Sequence, residues 1–202
     1  MPVEYTDRHR GCAIICGAAP SLLEDLEAAR AMRPDATVLG VKFAACVIPE
    51  IEHVWTQHGE LSLKIKEAAG RPITVHARPR KFQKNIIGGW FLPTPNEAWQ
   101  AIDYVWPTMN WAFGSSGAGG ALWAKHGMGF DEVIMAGIQL SVDNLGYVDG
   151  YGQKPKRSDG KFAPEDSVHH WLQLLINHKQ NGRTKGIYSM SGKTREVLGA
   201  PC

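Results

Sequence analysis

No stretch of the 202-residue chain stays apolar for the length of a bilayer. A spanning helix needs ~20 apolar residues in succession, so no membrane span is expected. Charge of one sign is lacking as well. The chain has 22 Lys and Arg against 20 Asp and Glu, a net charge of +2 with His neutral. That balance excludes the strongly basic surface of a dedicated nucleic-acid binder. The four cysteines include no Cys-x-x-Cys pair and no His/Cys group at zinc spacing, which argues against a disulfide scaffold or a structural metal. The opening residues, MPVEYTDRHRG, carry charge without the apolar core of a signal peptide, so a cytoplasmic location is expected. Neither a P-loop nor a Gly-x-Gly-x-x-Gly turn after a strand is present. Internal repeats and low-complexity segments are missing too.

What is there has the rhythm of strand, helix, strand. "CAIIC" (12–16) reads as a buried strand, with Cys12 and Cys16 as thiols on one face. "SLLEDLEAARAMR" (21–33) carries Leu22, Leu23, Leu26, Ala29 and Met32 at helical spacing. Ser21 stands at its N-cap with Glu24 three residues on, as in a capping box, and Pro34 stops it. "ATVLGV" (36–41), "HVWTQH" (53–58), "ITVHA" (73–77), "DEVIMAGI" (131–138) and "KGIYSM" (185–190) read as further strands. Residues 59–70, 115–129, 164–182 and the tail after 190 read as helices. This alternation predicts a single α/β domain over 1–202: a Rossmann-like, mainly parallel sheet with helices on both faces.

Two segments interrupt the pattern. Residues 78–112 hold Trp90, Trp99, Trp106 and Trp111 along with four prolines. They read as an irregular aromatic-rich insertion or cap, with a short helix at 96–105. Residues 141–164 are polar and rich in Gly, Asp and Lys, and read as a mobile loop.

In an open parallel sheet, ligands bind beyond the carboxyl ends of the strands, at the switch in strand order. The turn Gly17, Ala18, Ala19, Pro20 and Ser21 belongs there. So do Lys42, His58, Gly137 and the glycine-rich stretch Ser115, Ser116 and Gly117. Small residues ahead of a helix suit an approaching phosphate, and they equally suit a plain chain reversal. His58 ends a strand and is a candidate general base, or a solvated loop residue. His169 and His170 are neighbours on one helix and point about 100° apart, so they cannot share a metal ion. One of them facing the crevice would be a second base. Lys42 could neutralise a phosphate. Tyr147 and Tyr151, in the polar loop, could hydrogen-bond one.

Three blocks carry a resemblance. "CAIICGAAPSL" resembles the opening strand and turn of Campylobacter-type sialyltransferases. It also resembles the DUF115 group, which includes proteins similar to 6-hydroxymethylpterin diphosphokinase. "SSGAGGALWAKHGMGFDEVIMAGIQL" is similar to their second shared block, and "IYSMSGKTREVLGAP" to the close of phage-type DUF115 members. The blocks follow the expected order over about half of the chain.

The resemblance implies a nucleotide or nucleotide-sugar ligand and metal-independent group transfer of the glycosyltransferase kind, with no tightly bound cofactor. It matches Gly17, Pro20 and Ser21 to the first nucleotide-contacting turn, and Ser116 and Gly117 to the second. It puts His58 where the sialyltransferases carry Asn. Ala18 stands where they carry Asn, and Gln139 where the family usually carries Asp. Two alternatives stay open: a Mg²⁺-dependent diphosphokinase of the pterin branch, and a non-catalytic phage protein that binds nucleotides or partners. The acceptor, the base and any homo-oligomer are left open by the sequence.

Overall fold

The computed structural model describes residues 3–78, 100–106, 114–141 and 164–202. Among them, eight strands form one sheet: β1 (Val3–Glu4), β2 (Cys12–Cys16), β3 (Thr37–Val41), β4 (His53–Thr56), β5 (Thr74–Ala77), β6 (Tyr104–Val105), β7 (Glu132–Ala136) and β8 (Ile187–Ser189). Their order is β1-β6-β5-β4-β3-β2-β7-β8, and every pairing is parallel. The helices are α1 (Leu22–Met32), α2 (Ala44–Val47), α3 (Ser62–Ala69), α4 (Ser116–Leu122), α5 (Pro164–Gln180) and α6 (Gly192–Leu198). A π-helical turn, Trp123–Met128, prolongs α4 and ends at left-handed Gly129. This is the Rossmann-like α/β fold that the alternation predicts. No helix among the described residues is long and apolar enough to cross a membrane.

The apolar run of β2 follows from its central place, because a parallel strand covered on both faces has no polar side to present. Ala13 and Ile15 join one core with Leu39, Trp55, Leu122 and Trp123. Ile14 and Cys16 join the other, with Leu22, Leu26 and Ala29 of α1 and Ile65 of α3. The two-residue side-chain period sorts consecutive residues to opposite layers. α1 thus covers one face and α4 the other. Burial pushes the Cys16 thiol up to about 12, so it behaves as a small apolar residue. All four cysteines are free.

The end of the aromatic-rich stretch departs from expectation. Gln100 is helical, in keeping with the helix expected over 96–105, but Tyr104–Val105 is a strand between β5 and β1. The reason is local. Asp103 accepts the Val75 N–H through Oδ2 at 2.7 Å and holds Lys66 through an ion pair at 2.8 Å, which fixes this segment alongside β5. Ala101, Ile102 and Trp106 are buried. The remainder of that stretch, 79–99 and 107–113, and the polar loop over 142–163 lie outside the described residues.

Trp106 closes a ring cluster under the β1 side of the sheet. Its indole N–H, a donor only, gives to His76 Nδ1 at 3.3 Å. The His76 proton is therefore on Nε2, from which it is donated to His53 Nδ1 at 2.9 Å. Tyr5 packs edge-on against His76 and bonds His9 through its hydroxyl at 2.7 Å. Burial pushes His76 down to about 2 and lowers His53 as well.

Candidate functional site

The strand order reverses between β2 and β7. β2 and β3 lead away to one side, and the chain returns to lay β7 on the other flank of β2. A crevice of about 250 Å³ opens there, at the carboxyl ends of the strands. That is the place this topology reserves for ligands, and the volume is just under the ~300 Å³ at which ligand pockets commonly begin.

Most of the residues singled out in the sequence meet in this crevice. Gly17, Ala18 and Ala19 line it from the turn after β2, Lys42 from the end of β3 and His58 from the end of β4. Ser115, Ser116 and Gly117 line it from the start of α4, and Gly137 from the end of β7. Val168 and Trp171 of α5 complete an apolar flank with Ile138 and Leu140. Pro20 and Ser21 do not line it. His169 and His170 are exposed and do not line it either, because the helix turns Val168 and Trp171 toward the crevice instead. Their proposed role as crevice bases is corrected on that ground. Tyr147 and Tyr151 lie outside the described residues.

The turn after β2 is explained by the protein's own packing. A Cβ on Gly17 would lie 2.4 Å from the Gly137 carbonyl oxygen and 2.4 Å from Ile138. The N–H groups of Gly17 and Ala19 donate to the carbonyls of Ala136 and Gly137, at 2.8 and 2.9 Å. The small residues therefore dock this turn on the β7 loop, and two of its donors are already committed. Ser21 occupies the N-cap position without a side-chain cap bond, which corrects the capping-box reading.

The cause is Asp25, one turn into α1 and only 6% exposed. Its Oδ2 accepts from Ser21 Oγ at 2.9 Å, from Ser191 Oγ at 2.6 Å and from the Gly137 N–H at 2.9 Å. The Ser21 hydroxyl proton goes to this carboxylate, so Ser21 Oγ is an acceptor for Gln139 Nε2 at 2.8 Å. One buried carboxylate thus ties together the turns after β2, β7 and β8.

The cationic side of the crevice is built differently. Lys42 has φ +53 and Leu140 φ +46, and among the described residues these are the two non-glycine residues in left-handed backbone. Both line the crevice. Such a conformation costs roughly 1–2 kcal/mol for a side-chain-bearing residue and concentrates at functional sites. Lys42 is fixed in place by its N–H, which donates to the Trp55 carbonyl at 2.9 Å. His58 is held by Thr56, whose hydroxyl accepts its N–H at 2.9 Å and donates to its carbonyl at 3.2 Å. The His58 carbonyl also accepts the Leu61 N–H. The imidazole Nδ1 lies 2.9 Å from Glu60 Oε1. Gln57, buried, donates to the Ser115 carbonyl at 2.7 Å and joins the β4 end to the start of α4. Ser115 Oγ accepts the Ala118 N–H and caps α4.

Asp25, Glu60 and Trp171 were missed by sequence reasoning. Asp25 reads as an ordinary acidic residue in a first helical turn. The signal for Glu60 was its place two residues after a strand-end histidine. Among the described residues, no Asp or Glu lines the crevice. Protein families, curated proteins and solved structures were compared with the chain, and none matches it.

Proposed function

We propose that the crevice binds a nucleoside phosphate or nucleotide-sugar and supports metal-independent transfer of its glycosyl group to a hydroxyl. The observation that carries this reading is the pair of left-handed residues, Lys42 and Leu140, placed in a crevice at the strand-order switch. Backbone strain of that kind persists where position matters more than local stability. Lys42 supplies positive charge for the phosphate, and the Ser116 hydroxyl is a second group for it. Trp171 and Ile138 offer an apolar face for the sugar or base.

In the transfer, His58 takes the proton of the acceptor hydroxyl. The oxygen's electron pair forms the new bond to the anomeric carbon. The bond from that carbon to the phosphate oxygen breaks, and its pair stays on the phosphate, where Lys42 offsets the charge. The protonated His58 then loses its proton to solvent. A diphosphokinase would need carboxylates for Mg²⁺, and none is among the described residues that line the crevice.

The test is a thermal-shift panel of CMP, UDP, GDP and ATP, each with and without Mg²⁺. A ligand at 100 times its Kd adds about 2.7 kcal/mol of stability. The reading expects a metal-independent response to CMP or UDP. A response to ATP only with Mg²⁺, or to no nucleotide at all, would overturn it.

A further inference from the structure

We infer that Glu60 is a positioning residue for His58, fixing the proton on Nδ1 and leaving the Nε2 lone pair as the reactive group in the crevice. The inference rests on the proposed function for its use of the crevice, and on geometry of its own for the pairing. A carboxylate only accepts hydrogen bonds when ionised, so the 2.9 Å contact to Glu60 Oε1 requires Nδ1 to be the donor. A neutral imidazole with its proton on Nδ1 has its lone pair on Nε2. That is the ring nitrogen left for a ligand, and His58 lines the crevice.

The backbone supports the same role. Thr56 is fully buried and its one hydroxyl brackets His58, accepting from the N–H and donating to the carbonyl. The chain then enters the 3-10 turn Gly59–Leu61, which brings Glu60 back beside the ring. Imidazole and carboxylate are about equally exposed, at 35% and 34% of their side chains, so the ring is reachable while it is held. A polar contact at such exposure contributes little to stability. What the arrangement does provide is a fixed tautomer and a fixed ring orientation, the role a carboxylate plays behind a catalytic histidine.

The experiment acylates the folded protein with diethyl pyrocarbonate at neutral pH and follows the His58 peptide by mass spectrometry. It compares wild type, Glu60→Gln and Glu60→Asp. A carboxylate behind Nδ1–H makes Nε2 more nucleophilic, so Glu60→Gln slows acylation of His58 several-fold and Glu60→Asp restores part of it. His169 and His170, exposed on α5, serve as internal controls whose rates stay constant. Equal His58 rates in wild type and Glu60→Gln would overturn the inference, as would a Glu60→Asp variant no faster than Glu60→Gln. A second arm adds 1,000-fold excess CMP or UDP to the wild-type protein, and the inference expects protection of His58 alone. If neither nucleotide protects while the Glu60 effect stands, the positioning role holds and the nucleotide reading is what fails.

Discussion

Asp25 shows how one side chain can organise a site without facing it. Its Oδ2 accepts two hydroxyls and one backbone N–H, all from neutral groups. Hydrogen bonds to a charged group are each worth roughly 1.5–3 kcal/mol, and a buried donor left unpaired costs about 1–3 kcal/mol. Asp25→Ala is therefore expected to lower stability by ~3 kcal/mol or more in urea unfolding, chiefly by orphaning the Gly137 N–H. Lys42 should behave in the opposite way. Lys42→Gly relieves the left-handed strain and raises stability by about 0.5–1 kcal/mol, while the response to CMP or UDP falls at least tenfold. Calorimetry on the same variant reads both, and a variant less stable than wild type would show that the strain is absent. The ring cluster gives a pH signature. His76 and His53 are depressed in the folded protein, so the unfolded chain takes up more protons below ~6.5. Their contribution is complete above ~6.5 and is lost as pH falls toward the folded values. The unfolding free energy from urea titrations should drop from pH 7 to pH 5, by no more than ~1.4 kcal/mol per pH unit for each histidine. His76→Phe should flatten that slope.

At the scale of elements, the strands easiest to read were those whose side chains answer to one environment. β2 is apolar throughout, and β7 is apolar after Glu132, because both of their faces are covered. β1 and β6 were not legible. Each has two residues, too few for any period to show, and each exists because of contacts made elsewhere in the chain. Tyr5 and Trp106 pack on His76, and Asp103 bonds Val75. The crevice residues were legible by position, since a strand end names itself. Their roles were not, because hydrogen-bond partners such as Asp25 and Ser191 come from distant segments. The small residues of α4 belong to this scale too. A Cβ on Gly120 would lie 2.8 Å from Val41 and 3.3 Å from Ile15. Gly120→Ala gains up to ~1 kcal/mol of helix propensity. Overpacking against the sheet costs about 1–3 kcal/mol, so the sum is expected to be destabilising. Gly120 does not line the crevice, so nucleotide affinity in the surviving folded protein should stay within about twofold of wild type. Thermal melts with and without ligand separate the two effects.

For the whole molecule, the Asp25 latch also sets an order of events in time. It joins Asp25 to Gly137 and Ser191, partners 112 and 166 positions further along the chain. β2, too, has no second neighbour until β7 arrives. On a ribosome, the first half of the sheet must wait with the β7 flank of its central strand uncovered, an interval in which holding chaperones have something to grip. In a tube, contacts this remote are slow to form, and a parallel sheet refolds more slowly than a helical bundle of similar size. A latch that closes after the rate-limiting step predicts that its removal in Asp25→Ala accelerates unfolding and leaves the refolding limb of a stopped-flow chevron nearly unmoved; a refolding limb slowed as much as unfolding is sped would place it in the transition state. The same carboxylate that holds the crevice loops in register is then a kinetic bolt: it governs how long the finished protein stays folded and has little say in how quickly it gets there.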